Sequence, residues 1–532
     1  MVDVVITNGL IHDGGGGAPF AGTVLVEGDR LRIERGPLPA IPGAEVIDAR
    51  GRVVAPGFVD LHTHSDVSNL SDTLAVSAIE QGVTTQVVGL CGFSAGPVTA
   101  ATIATMVDEE PVFGFPGVTW DWTSIGGYLQ AVDRIGVSTN TATLIGHSTL
   151  RRTVMGSAQR GPTPDELRQM KDLLREALRE GGRGFSTGLS YAPGCFATIE
   201  ELTELTAVAR EEGRPYHTHM RYGELRTRAS LVEALATAER SGVEIEISHL
   251  YPSPQDPEDE ADRFIDMIDA ARARGARVTW DVTVFPRGGG AWVQTLPLWA
   301  LDGGMAAMAA RLRDPDARKR IRAYIEDTET PKGADWAAHW DDQLIVKINR
   351  PEAAGLVGRS VGEIARERGL DPLDCALDLV IEEGQYWVAP VIKRQPDLDR
   401  LISHPLGVPV TDGMAAHPEK HRALGLMPKT FGSFPLILGF YVRDRGVMSL
   451  EAAIHKVTEV PALRVGITDR GRLADGYAAD LVIFDPATIG NRATEADPSA
   501  RPTGIDRVMV NGRWVVSGGA ATGERPGRAL RG

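Results

Sequence analysis

Two histidines one residue apart close an apolar run, Gly57-Phe58-Val59-Asp60-Leu61-His62-Thr63-His64. In an extended chain, residues two apart point to the same face, so both imidazoles can reach one ion; they can equally cap a strand. Four more residues of ligating type stand where later apolar stretches stop: Cys91, His219, His249 and Asp412. Imidazole nitrogen, thiolate and carboxylate are donors that zinc accepts, and bound zinc makes water nucleophilic near neutral pH. Plainer readings exist for each. A free cysteine is commonly a small buried hydrophobe. His217 shares a face with His219, and spacing cannot choose between them.

These residues need elements to bring them together. Apolar strand candidates at 57–62, 84–90, 140–146, 184–189, 214–219, 243–248, 277–283, 386–392 and 408–412 alternate with helical stretches, the pattern of a parallel sheet with crossover helices. Helices are clearest over 164–180, where Thr163 and Glu166 form a capping-box pattern, and over 199–212. The fold class is α/β: a (β/α)8 TIM-like barrel, for which nine strand candidates compete. In such a barrel the chemistry sits at the C-terminal ends of the strands. The candidates end on His62 and His64, Cys91, His147, Tyr191, His219, His249, Arg287 and Asp412, so groups that coordinate, titrate or anchor recur there.

Short strand patterns at both ends of the chain, including a hairpin signal at Asn511-Gly512, predict one small β-sandwich built from residues 1–55 and 462–532. The barrel then occupies 56–461. Residues from about 288 to 385 are too long for a βα loop and hold helical stretches, so they read as an inserted subdomain. Gly14-Gly15-Gly16-Gly17 lacks the Lys-Ser/Thr and following helix of a phosphate loop and reads as a hairpin connection.

A chain of 532 residues with net charge −15 lacks the basic face that phosphate contacts need, so nucleic acid is not an expected partner. No stretch reaches the roughly 18 apolar residues of a membrane span, and the N-terminus shows no secretory pattern. The three cysteines, Cys91, Cys195 and Cys375, are odd in number and scattered, which argues against a disulfide framework and for a reducing, cytoplasmic setting. The expected partner is a small-molecule substrate.

The motifs carry a family resemblance over nearly the whole chain. Val54 to His64, Gly89-Leu90-Cys91-Gly92-Phe93-Ser94, Gly188 to Gly194, Thr218-His219-Met220-Arg221, Ile247-Ser248-His249-Leu250, Thr411-Asp412-Gly413, Phe431 to Pro435 and Ala478 to Val482 resemble the metal-dependent amidohydrolase superfamily. Within it they are most similar to the N-acyl-D-amino acid deacylases, or D-aminoacylases. Many superfamily members bridge two metals with a carbamylated lysine; here Arg183 to Tyr191 contains no lysine, and the resemblance gives that role to Cys91. It implies tight zinc at Cys91, His219 and His249, and a second, weaker site at His62, His64 and Asp412 that need not be filled. Asp412 is then the general base and acid, and Tyr191 either donates to the substrate carbonyl or packs under a loop.

The departures concern substrate. After Ser-His-Leu the family carries a lysine that helps to hold a carboxylate, where this chain has Tyr251. The family's Tyr-Pro-Tyr-Thr-Ala-Gly-Ser segment is replaced by Thr283 to Gly289, which leaves Arg287, Arg221 and Tyr251 as substrate-binding candidates. The expected activity is zinc-dependent hydrolysis of a non-peptide amide, as in an N-acyl-D-amino acid. The alternatives are a cyclic-amide hydrolase of the hydantoinase or dihydroorotase kind, and a non-catalytic barrel that keeps metal for structure.

Overall fold

The structure, a computed structural model, describes residues 2–36, 38–222, 227–253, 255–327 and 339–532. Eight strand positions make the barrel: Phe58–Asp60, Val83–Val88, Asn140–Thr143 continued by Ile145–Gly146, Phe185–Gly188, Tyr216–His219, Ile245–Ile247, Val278–Thr283 and Gly407–Val410. Neighbours pair in parallel. The third position is joined to the second by Leu144 N–H donating to Val88 O at 2.9 Å. The ring closes where Asp412 N–H donates to His62 O at 2.9 Å and His64 N–H to Gly413 O at 2.7 Å. Closure therefore sets residues 350 positions apart in sequence side by side. Parallel strands covered by helices are buried on both faces, and every residue of 185–188 and 216–219 is buried.

The ninth candidate lies outside the barrel. Trp387–Ile392 pairs antiparallel with Arg287–Ala291 and with Ile345–Lys347 in a separate three-stranded sheet. An apolar run does not reveal which sheet will bury it. Pro390 does not mark the difference, because the barrel strand Gly407–Val410 carries Pro409. Helices Gly304–Leu312, Pro315–Glu326, Val361–Arg368 and Pro372–Glu383 accompany this sheet between the seventh and eighth barrel strands.

The two ends of the chain share one nine-stranded sheet, in which Val53–Pro56 pairs antiparallel with Leu481–Phe484. Asn511 and Gly512 take positive φ, 46° and 80°, at the hairpin between 505–510 and 513–517. On the barrel exterior, helix Pro164–Arg179 carries its capping box as expected: Thr163 N–H donates to Glu166 Oε2 at 2.7 Å and Glu166 N–H to Thr163 Oγ1 at 3.3 Å. Among the described residues no helix is long and apolar enough to cross a membrane.

Candidate metal centre

The ligand candidates stand where strands end and the chain turns: His219 closes Tyr216–His219, His62 and His64 follow Phe58–Asp60, and Cys91, His249 and Asp412 lie just past their strands. Cys91, His249 and Asp412 make that turn in the left-handed region, with φ of 51°, 39° and 46°. Such conformations cost on the order of 1–3 kcal/mol each and persist only where the surroundings over-determine them. Around Cys91 the close approach of neighbouring backbone does so. A Cβ on Gly188 would stand 2.0 Å from Cys91 O, and one on Gly89 would stand 2.1 Å from Leu144 O, so neither position accepts a side chain.

The side chains converge. His62 Nε2 lies 3.2 Å from Cys91 Sγ, and His249 Nε2 lies 3.6 Å from the same sulfur and 2.9 Å from His219 Nδ1. Two overlapping trios result, His62–His64–Cys91 and Cys91–His219–His249, each with donor atoms within 4.8 Å of one another and all members buried. Asp412 Oδ1 adds a carboxylate 3.2 Å from His64 Nε2 and 3.6 Å from His62 Nε2.

Electrostatics show what the cluster lacks. Burial pushes His62 and His249 down to about 3 and His219 well below its ordinary value, so the three imidazoles are neutral and keep a lone pair. Burial, with Asp412 and Asp281 nearby, pushes the Cys91 thiol well up. A divalent cation among these atoms reverses that preference, because a coordinated thiol gives up its proton. His219 Nε2 is buried without a hydrogen-bond partner among the described residues. A nitrogen and sulfur donor set of this kind fits zinc.

Two residues absent from the sequence reading complete the centre. Asp281 is fully buried, with Oδ2 3.0 Å from His62 Nδ1 and Oδ1 accepting from His249 N–H at 2.5 Å. It thereby turns the other ring nitrogen of His62 toward the cluster. Its signal was a lone carboxylate in the strand Val278-Thr279-Trp280-Asp281-Val282-Thr283. Lys429 Nζ lies 2.7 Å from Asp412 Oδ2. Burial alone raises the Asp412 carboxyl, but Lys429 and the His64 hydrogen bond more than offset this and hold it well below the usual carboxylate range. Lys429 occupies the first turn of helix Pro428–Leu436, where the helix dipole disfavours a cation, and that placement was its signal.

The remaining candidates take varied places. Tyr191 packs against His219 with ring centroids 4.7 Å apart, and its hydroxyl makes no hydrogen bond to the described residues. Burial raises its pKa well above the ordinary value, so it stays a donor. Tyr251 stacks on Tyr222, which packs against His249. Arg221 points away from the cluster, donating to Cys195 O at 2.5 Å and Ala197 O at 3.0 Å and pairing with Glu233. Arg287 donates to Ala389 O at 2.8 Å, lies 3.9 Å from Glu495, and lines a cleft with Trp387, Met427 and Lys429. His217 is buried in the barrel with neither ring nitrogen hydrogen-bonded among the described residues, and His147 pairs with Glu201 at 2.9 Å. Trp387 meets His64 edge to face at 6.4 Å, so the inserted sheet forms a wall of the metal centre.

Comparison with known proteins gives this geometry a context. Residues 45–516 match the family model described as the amidohydrolase family. The N-acyl-D-aspartate deacylase of Alcaligenes xylosoxydans xylosoxydans is 32% identical over 531 residues, covering 100% of this chain and 95% of the relative. The N-acyl-D-glutamate deacylase of Bordetella bronchiseptica, solved with zinc and a phosphonate that mimics the tetrahedral intermediate of its reaction, superposes with a TM-score of 0.81 at 30% identity over 100% of both chains. A D-aminoacylase whose binuclear centre is described by one-metal activation and second-metal attenuation superposes with a TM-score of 0.82 at 30% identity, again over 100% of both chains.

Proposed function

The chain belongs to the amidohydrolase family, and on that premise we propose that it is a zinc-dependent hydrolase of the amide bond in an N-acyl-D-amino acid or a close relative. One observation carries the reading: Cys91, His219 and His249, from three separate strand ends, form a buried trio beside an ionised carboxylate at Asp412. A structural zinc site closes on four protein ligands and has no use for a neighbouring base.

Zinc held by Cys91, His219 and His249 supplies Lewis acidity, which makes water nucleophilic near neutral pH and polarises a carbonyl. The chain supplies the rest. Asp412, kept ionised by Lys429 and His64, takes a proton from the attacking water and returns it to the leaving nitrogen, since an amide nitrogen departs poorly unless protonated. Tyr191 offers its hydroxyl to the carbonyl oxygen as charge builds there. His62 and His64, with Asp412, provide the weaker second metal position, and Cys91 lies between the two. Arg287 lines the cleft where the substrate's side chain extends. Cys91, Cys195 and Cys375 are buried and none forms a disulfide, which supports a cytoplasmic setting.

The test is turnover by the zinc-loaded protein of N-acetyl-D- and N-acetyl-L-amino acids beside dihydropyrimidine and hydantoin rings. Zinc-dependent release of acetate from D-substrates is expected. Ring opening without any deacylation overturns the reading.

A further inference from the structure

An N-acyl amino acid brings a carboxylate to the metal centre, and its place is set by connectivity. Only one carbon separates the α-carboxyl carbon from the scissile nitrogen, so the group that receives the carboxylate must stand close to the metal-binding histidines. A carboxylate taken out of water without a partner is costly. Among the described residues, Lys429, Arg287 and Lys393 approach the centre, and two of them are already engaged. Lys429 is paired with Asp412 at 2.7 Å, and Arg287 is bonded to Ala389 O and faces Glu495.

Lys393 is the third. It follows the inserted strand Trp387–Ile392, and its N–H donates to Pro286 O at 2.7 Å, which fixes its backbone against the end of the seventh barrel strand. The residue is 6% exposed. Its ammonium donates to Thr283 Oγ1 and sits over the Tyr251 ring, 4.8 Å from the centroid. No carboxylate of the described residues is in ion-pair contact with it. Space for it is built in: a Cβ on Gly288 would stand 3.2 Å from Lys393 Cε and 3.3 Å from Nζ. Both contacts stand at C-terminal strand ends, Thr283 at the seventh and Tyr251 just past the sixth, so the ammonium lies at the barrel rim that carries the ligand candidates. Burial, then Lys429, lowers its pKa to about 7, the signature of an ammonium that lacks an anion.

We propose that Lys393 binds the α-carboxylate of the substrate, with Thr283 and Tyr251 holding the ammonium in place. The inserted segment then contributes the anchor as well as a wall. This rests on the deacylase reading above and adds to it that the substrate must carry a free acid next to the scissile amide.

The test compares the preferred N-acetyl-D-amino acid with its C-terminal carboxamide on the zinc-loaded full chain. Lys393→Met should raise KM for the acid by about 30-fold or more. The carboxamide KM should move by less than about 3-fold. Lys393→Arg should recover most of the loss for the acid alone. Gly288→Ala, which keeps the lysine but crowds its ammonium, should reproduce an acid-selective rise even if the methionine variant folds poorly. Equal changes for acid and carboxamide in both variants, with a wild type that deacylates, overturn the anchor and leave the deacylase reading standing. A wild type that deacylates neither compound overturns both.

Discussion

Around Cys91 Sγ the neighbours are neutral imidazoles, His62 at 3.2 Å and His249 at 3.6 Å, whereas around Asp412 they include the Lys429 ammonium at 2.7 Å. The first group holds no cation of its own. The second already carries its countercharge, so a metal placed there must compete with a lysine for the same carboxylate. On the reading proposed above, that asymmetry favours tight binding at Cys91, His219 and His249 and weaker binding beside Asp412. It also divides the labour: the neutral side favours a cation strongly, and the charge-paired side keeps a base ionised.

The largest expected effect comes from removing the shared thiol. Cys91→Ala leaves the His219 and His249 nitrogens without the anionic donor that compensates an ion's charge, and zinc should bind more than about 100-fold more weakly. Metal analysis after dialysis reads this directly; zinc content equal to wild type would return Cys91 to the role of a buried hydrophobe.

Asp412→Asn probes the other side. The amide cannot take a proton, so kcat should fall by about 10²–10⁴-fold while zinc at Cys91, His219 and His249 stays in place. Near-wild-type kcat in a zinc-replete variant would place the base elsewhere.

What could be read from the chain alone divides along a physical line. Strand ends were legible because a parallel strand buried on both faces is a short apolar run, and the residue that stops it is visible in one dimension. Cys91, His219, His249 and Asp412 were placed at strand ends in this way. Partners contributed by another strand were not, because nothing local marks the pairing: Asp281 reaches His62 across 219 positions, and Lys429 reaches Asp412 from a helix whose start showed only an ill-placed cation. The run at 386–392 misled for the same reason. Its apolar content declares burial but not the sheet, and with the strand went the position of Lys393.

A smaller effect tests whether the neutral side depends on its supporting carboxylate. Asp281→Asn keeps the volume but offers a mixed donor and acceptor to His62 Nδ1 and His249 N–H, so either ring orientation or backbone placement loosens. Zinc affinity or activity should drop by about 10–100-fold. A loss confined to thermal stability, with affinity and kcat/KM intact, would make Asp281 a core residue and not a positioning one.

The subtlest prediction bears on the asymmetry itself. Burial pushes the Asp412 carboxyl up, and Lys429 is the first of the groups that bring it well below the usual range. Lys429→Met removes that opposing charge, so the carboxyl must rise. A base works only when ionised; activity that wild type retains in acid should therefore be lost at a higher pH, and the acid limb of kcat/KM moves upward while the plateau stays within about 10-fold of wild type. The same substitution removes a like charge from the second metal position, and occupancy there should tighten on the order of tenfold. Both changes must appear together, because both come from one ammonium. An acid limb that shifts with no gain in second-metal affinity would mean that Lys429 tunes the base without competing for the site. A gain in metal affinity at an unmoved acid limb would mean that the base is held ionised by His64 and His62 alone.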